Sequence, residues 1–301
     1  MAASIKNRLA YFAAAALVTL LACSFLVAQP TDAYATTATK GAQAHTLKEN
    51  VTYTQYDATG DRKADTVKVA TSYQDGYIGN KITVYLNDKK AFAKSTWFYN
   101  VKAQLIQLKN GKCFMYLYAP MDNGDAEVCA LYQIKNGKLK RVINFNKGLG
   151  SKIGNHVGGE VKKVSGNSMT VSFTAMSYMA SSISADYTYK YKSGTLKKTS
   201  SIGKLTVGFK GNNTYKTKKA ITAYKNTKCT SKKFTIKKGA KVKFLKTYVK
   251  GNTVRFQVKS GGKTGWIKVA NRYDSPLMHK YLYTSGFYAY EPPFVGLVLA
   301  G

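Results

Sequence analysis

The chain has 301 residues, and its 47 Lys and Arg residues against 14 Asp and Glu residues give a formal net charge of +33. An apolar fraction of 45%, with 23 Tyr and 13 Phe residues, is sufficient to bury a core and excludes a disordered basic tail. A positive excess of this size indicates an anionic partner, but it identifies no reaction.

Residues 1–35 have the features of a secretory signal. Lys6 and Arg8 precede an apolar run over residues 9–28, and the Ala-Tyr-Ala sequence at 33–35 supplies a cleavage pattern of small residues. We expect cleavage after this pattern, which leaves a mature charge of +32 because the segment carries a net charge of +1. The apolar run is also long enough to span a bilayer, so an uncleaved anchor is the alternative. In either case, the rest of the chain is expected to lie outside the cytoplasm, and with cleavage we expect a secreted protein associated with the cell wall.

Residues 36–50 are expected to form a flexible segment, and residues 51–200 an all-β meander domain. The second stretch contains short segments of alternating apolar and polar residues, separated by turn pairs such as those at 110–111 and 136–137. Groups of four strands, about fifty residues each, would give three blade-like sheets before Ser200. The sequence therefore predicts an open propeller-like meander or a sandwich.

An acidic loop at 57–65 is a candidate metal site. Positions 1, 3, 5 and 9 of the loop supply side chains and position 7 a carbonyl, from Asp57, Thr59, Asp61, Asp65 and Lys63 respectively. The spacing resembles the calcium loops of integrin-type propeller blades, the FG-GAP and VCBS class, and this resemblance implies calcium as a cofactor. Thr59 departs from the pattern by replacing an acidic or amide ligand, and Arg62 stands where Gly would allow a sharp turn. The alternative is a degenerate blade turn in which Asp side chains accept hydrogen bonds from backbone N–H groups.

Three cysteines follow the predicted signal, so at most one disulfide can form within the mature chain. Cys113 and Cys129 are the candidate pair if the chain turns midway between them. A hairpin centred at 123–124 would instead place Cys113 opposite Ile134, an offset of about 16 Å that forbids the bond. Both arrangements fit the sequence, and Cys229 is interpreted as a small apolar filler.

Residues 204–272 are expected to form a second domain. Its strand segments at 220–224, 237–245 and 254–258 are followed by a Gly-Trp-aliphatic ending at 265–267. This pattern, over about residues 210–270, resembles a bacterial SH3-like domain. The resemblance implies a small barrel and, in an exported protein, a wall-binding or cell-surface module.

The basic residues of this second domain alternate with apolar ones. Val242 and Phe244 point one way, whereas Lys241 and Lys243 point the other, so one face is core and the other is basic. Residues 187–273 contain no Asp or Glu. Solvation alone does not require a surface of one sign, and the simplest use of such a surface is attraction of an anionic polymer.

The candidate ligand-binding residues are the aromatic and basic side chains Tyr215, Tyr224, Tyr248, Arg255 and Trp266. An anionic cell-wall polymer or peptidoglycan is the expected partner, and the predicted export favours it over nucleic acid. A membrane partner is expected only through an uncleaved signal. Trp266 has a second interpretation, as part of the domain core.

No catalytic motif surrounds His45, His156 or His279, and the few carboxylates form no convincing pair. The tail at 273–301 is rich in aromatics and is expected to pack on a domain. The sequence favours a non-enzymatic binding protein of the cell surface. The alternative is a cell-envelope hydrolase accessory subunit, an inhibitor, or an enzyme with an unrecognised site.

Overall fold

The structure is a computed structural model that describes residues 41–122, 126–149, 154–208 and 213–270, with 277, 283–284, 290–291 and 293–297 of the tail. The predicted signal and most of the predicted tail, including His279, lie outside the described residues. No helix in the described ranges is both long and apolar enough to cross a membrane.

The described chain consists mainly of antiparallel strands. The first nine are β1 (Gln43–Leu47), β2 (Thr52–Tyr56), β3 (Asp65–Tyr73), β4 (Gly79–Leu86), β5 (Lys89–Phe98), β6 (Lys102–Gln107), β7 (Cys113–Ala119), β8 (Val128–Lys135) and β9 (Lys138–Asn144). After a 3₁₀ turn (Phe145–Lys147) come β10 (Gly154–Ser165), β11 (Ser168–Ser177), β12 (Ser181–Lys192), β13 (Thr195–Lys198), β14 (Ile202–Val207), β15 (Thr214–Thr217) and β16 (Ile221–Tyr224). The remainder are β17 (Lys232–Ile236), β18 (Lys241–Lys250), β19 (Thr253–Ser260), β20 (Lys263–Lys268), β21 (Tyr283–Thr284), β22 (Tyr290–Glu291) and β23 (Phe294–Val295).

The strands follow one another as hairpins in three main sheets. The first sheet has the order β2-β3-β4-β5, and the second has the order β1-β6-β7-β8-β9. The third sheet runs β10-β11-β12-β14-β18-β19-β20-β16-β17, with β13, β15 and β23 paired off this path. The predicted all-β fold is confirmed. Consecutive groups of four strands, β2–β5, β6–β9 and β10–β13, occur where the sequence predicts blade-like units.

The second sheet is buried on both faces. On β7, Met115 and Leu117 pack into a core shared with the first sheet, whereas Phe114 and Tyr116 pack into a core shared with the third. Successive side chains of a strand point to opposite faces, so two cores require apolar residues at nearly every position. This accounts for the almost unbroken apolar sequence of β7 and β8.

The third sheet continues from the blade-like strands into the strands of the predicted SH3-like domain. β12 pairs with β14 through Ile183 and Val207, and β14 pairs with β18 through Ile202 and Tyr248. The described strands form no closed barrel. The barrel expected for residues 204–272 is therefore corrected to an open sheet, because the edge of β18 that faces away from β19 is bonded to β14 and β15. The division into two domains stays a prediction.

Two further expectations differ from the structure. Part of the segment 36–50, expected to be flexible, forms β1, in which His45 lies opposite Leu105 of β6. The candidate disulfide is also wrong, because Cys113 and Cys129 are free and buried in different cores. Tyr118, and not Cys113, lies opposite Cys129, so the strands follow the register of the alternative hairpin.

Candidate functional site

The acidic loop between β2 and β3 brings three carboxylates together. Ligand atoms of Asp57, Asp61 and Asp65 lie within 4.8 Å of one another, so this group could hold a metal ion. Asp57 and Asp65 are each 4% exposed, whereas Asp61 is exposed. Carboxylate oxygens are the ligands that calcium prefers.

The same carboxylates accept hydrogen bonds from the backbone of the loop. Asp65 Oδ2 accepts the N–H groups of Ala58 and Thr59, both at 2.8 Å. Asp57 Oδ1 accepts the N–H of Gly60 at 2.5 Å, and its Oδ2 accepts the N–H of Arg62 at 2.9 Å. These contacts have the pattern of the blade-turn interpretation, in which Asp side chains organise the loop.

The remaining predicted ligand residues take part through their backbone. The N–H of Lys63 donates to Asp61 Oδ1 at 2.9 Å, as the N–H of Thr59 does to Asp65. Arg62 adopts a φ of 71°, the left-handed conformation that Gly would adopt most easily. The sharp turn expected at this position is therefore made despite the Arg side chain.

The loop also docks on the second sheet. Gly60 has a φ of 82°, and a Cβ at this position would lie 2.1 Å from the carbonyl oxygen of Gly111 in the β6–β7 turn. The Cys113 thiol lies 3.2 Å from the Asp57 carbonyl oxygen, which accepts its hydrogen bond. Only Gly permits this close approach of two turns, so the loop links the first two sheets.

A second candidate site is the outer face of the third sheet. Val242 and Phe244 are fully buried while Lys241 and Lys243 are exposed, as the alternation predicts. We use the name basic face for six exposed lysines on this side of the sheet: Lys204, Lys216, Lys241, Lys243, Lys246 and Lys259.

The six lysines of the basic face lie directly opposite one another in three pairs across neighbouring strands. The pairs are Lys204 with Lys246, Lys216 with Lys241, and Lys243 with Lys259. Opposite residues in an antiparallel sheet lie about 4.5–5.5 Å apart at Cα, and like charges in this arrangement are destabilising. No carboxylate of the described residues forms an ion pair with any of the six. Alternation predicted exposed lysines, but their pairing required knowledge of the strand order.

Four of the five predicted ligand-binding residues lie beside the basic face. Tyr248 and Trp266 make an edge-to-face contact with ring centroids 6.4 Å apart, and Trp266 lies opposite Tyr224. Arg255 lies opposite both Tyr248 and Lys268. Trp266 is only 7% exposed, so it offers little ring surface to a ligand.

Tyr215 does not join this group. Its ring packs on Phe244 in the core, with centroids 6.1 Å apart, and its hydroxyl donates to the Val207 carbonyl at 3.0 Å. The structure thus separates Tyr215 from the other four predicted residues, because β15 turns this side chain towards the core side of the sheet.

Sequence reasoning missed a polar network around Glu49. Its carboxylate accepts hydrogen bonds from the Thr71 hydroxyl at 2.7 Å, the Tyr73 hydroxyl at 2.5 Å and the Val101 N–H at 2.5 Å. Burial and the neighbouring Glu49 carboxylate raise the pKa of Tyr73 to about 12. No local motif signals this network, since its members are far apart in sequence.

The buried thiols and the described histidine do not have the properties of activated groups. Burial raises the pKa values of Cys113 and Cys129 to about 12, so both thiols stay protonated at neutral pH. His45 stacks on Tyr56 with ring centroids 4.2 Å apart, and burial lowers its pKa. The backbone of His156 lies in β10.

Comparison with known proteins gives no relative to guide assignment, since no protein-family model, curated protein or solved structure matches the chain.

Proposed function

We propose that the chain is an exported, non-enzymatic binding protein, held on anionic polymers of the cell envelope by the basic face. The observation that carries this proposal is the pairing of lysines across β14, β15, β18 and β19, since none of the six forms an ion pair with a described carboxylate. Lys204 also lies opposite Asp186 of β12, but the ion pair of Asp186 is with Lys162. Each such pair opposes folding, so a surface built from three of them is costly unless an external anion neutralises it.

A polymer with repeated negative charges fits this surface better than a single small anion. The lysine pairs are distributed over several strands, so neighbouring charges of one polymer can contact successive pairs. Binding of a polyanion also releases its condensed counterions, which makes the affinity depend strongly on salt. Arg255 and Lys268 extend the positive surface next to Tyr224 and Tyr248.

The test is binding of the exported chain to purified cell walls, with and without their anionic polymers, across a salt series. The proposal predicts strong binding at low salt that weakens as salt rises and is lost when the polymers are removed. Binding that persists unchanged in high salt, or on walls without the polymers, would contradict the electrostatic proposal.

The same incubation tests the alternative class. A hydrolase accessory subunit, an inhibitor or an enzyme with an unrecognised site would change the rate at which the wall is degraded. Release of soluble wall fragments by the chain alone would favour the enzyme, whereas the proposed binding protein releases none.

A further inference from the structure

A cleft of about 670 Å³ lies between the second and third sheets, away from the acidic loop and the basic face. It opens beside β1 and β10, each at the end of its sheet's strand order. A volume of this size is within the range of small-molecule binding sites. Its lining includes the side chains of Thr46, Lys48, Lys102, Gln104, Tyr118 and Glu160.

The floor of the cleft consists of side chains that the strand register places side by side. Thr46 lies opposite Gln104, which lies opposite Tyr116, and Lys102 lies opposite Tyr118. These positions alternate with residues of the core shared with the first sheet, so their side chains point towards the third sheet. The cleft floor is thus a regular surface of two tyrosines, an amide, a hydroxyl and an ammonium group.

Two contacts hold the aromatic part of this floor in place. The Tyr116 hydroxyl donates to the Gly159 carbonyl across the cleft at 2.6 Å. The Lys102 ammonium lies 5.9 Å from the centre of the Tyr118 ring. A ligand would therefore meet a preformed site, which reduces the entropy lost on binding.

The cleft contains hydrogen-bond acceptors that lack donors. The Oε1 atom of Gln104 is buried and has no hydrogen-bond partner among the described residues. Glu160 on the opposite wall is exposed, and its carboxylate forms no ion pair within the described ranges. A buried acceptor without a donor is costly, so a ligand gains affinity when the Gln104 amide rotates towards the cleft and the ligand supplies the donor.

We propose that this cleft binds a neutral sugar unit of a glycan chain. The apolar C–H face of a sugar ring can pack on Tyr118, while its hydroxyls donate to Gln104 and Glu160. The ammonium groups of Lys48 and Lys102 can donate to its ring and hydroxyl oxygens. The cleft lining contains two lysines and two glutamates, so its formal charges cancel and give an anion no advantage over a neutral ligand. This site is separate from the basic face and does not depend on the proposed polymer binding.

The experiment is calorimetric titration of the exported chain with two neutral trisaccharides, β-1,4-linked glucose and β-1,4-linked N-acetylglucosamine. We expect at least one to bind, with an affinity that is the same at low and high salt. Tyr118→Leu and Gln104→Leu should each weaken binding at least tenfold. The matched control is Tyr77→Leu, which removes an aromatic ring that is 82% exposed in the β3–β4 loop and should leave binding unchanged.

Three results would overturn the proposal: no heat of binding with either trisaccharide at millimolar concentration, equal binding by wild type and both cleft variants, or loss of binding in the Tyr77 control. If Tyr118→Leu lowers the melting temperature, Gln104→Leu decides, because it removes an unpaired acceptor and keeps most of the side-chain volume. Failure here leaves the salt-dependent binding of the basic face unaffected, so the two proposals fail separately.

Discussion

Carboxylates organise the first two sheets, whereas the strands β14–β20 contain none. Asp57 and Asp65 fix the loop that joins the first sheet to the second, and Glu49 ties β3 to the start of β6. In β14–β20 the lysines alternate with core residues and face other lysines across the sheet. Carboxylates are thus hydrogen-bonded within the first region, whereas the lysines of the basic face form no ion pair among the described residues.

The largest effect should follow from removing one internal carboxylate of the first region. Asp65→Ala leaves the N–H groups of Ala58 and Thr59 and the Asn87 amide without their acceptor. Loss of these contacts in a buried setting should lower the free energy of unfolding by about 2–4 kcal/mol, measured by urea denaturation. Asp61→Ala is the matched control, because Asp61 is exposed and should cost less than about 1 kcal/mol. Equal losses in the two variants would contradict an organising role for Asp65.

A smaller effect of opposite sign is expected in the basic face. Lys216→Gln with Lys243→Gln breaks two like-charge pairs and should raise the free energy of unfolding by about 1 kcal/mol at low salt. The gain should fade in high salt because the repulsion is screened. Lys81→Gln with Lys89→Gln removes the same charge from the first sheet, where no lysine lies opposite, and should give little change. A gain of the same size in this control would mean that net charge, and not pairing, matters.

His45 gives the first region a modest dependence on pH. Burial lowers its pKa below the ordinary value of 6.5, so the unfolded chain takes up a proton that the folded chain resists. The free energy of unfolding should therefore fall as the pH drops below 6.5, down to the lowered pKa. His45→Phe keeps a ring against Tyr56 and should remove this part of the dependence. An identical pH profile in the variant, measured by urea denaturation between pH 7.5 and 5, would show that other groups cause it.

Calcium should have the smallest effect if the acidic loop is held by its own N–H groups. The melting temperature is then expected to be the same in millimolar calcium and in chelator. A rise with calcium that Asp61→Asn abolishes would instead establish the ion site that the loop spacing resembles, because a ligand of the native state stabilises it.

Local sequence patterns predicted many of the strands and their buried faces, but not which distant strands pair with one another. Alternation in β18 correctly assigned Val242 and Phe244 to the core and Lys243 to the surface, since a strand has a period of two. It did not show that β18 would pair with β14 and β15, because contacts between distant strands leave no local signal. The register of β7 and β8 keeps Cys113 and Cys129 apart and so prevents a disulfide between them. A turn displaced by a few residues would have placed the two cysteines opposite each other.

The acidic loop and the cleft differ in how far the sequence alone could predict them. The acidic loop is local in sequence, so its three Asp residues could be grouped from their spacing alone. The cleft is formed by β1, β6, β7 and β10, and its tyrosines look like core residues of a strand until the sheets are assembled. Tyr215 illustrates the same limit, since only the position of β15 shows which face it occupies.

The most direct test of the account is the salt dependence of binding to one defined polyanion, a linear polyphosphate. Wild type is compared with a variant that carries Gln at Lys204, Lys243, Lys246 and Lys259. The control carries Gln at four exposed lysines of the first two sheets and their turns: Lys63, Lys81, Lys89 and Lys109.

If the basic face is the site, the slope of log affinity against log salt should become shallower by about three in the basic-face variant, since each phosphate contact contributes roughly 0.7 to 0.9 on nucleic acids. The control should keep the wild-type slope although its net charge is the same as that of the variant. Equal slopes in the variant and the control would contradict the account, because they would show that binding follows total charge and not the paired lysines.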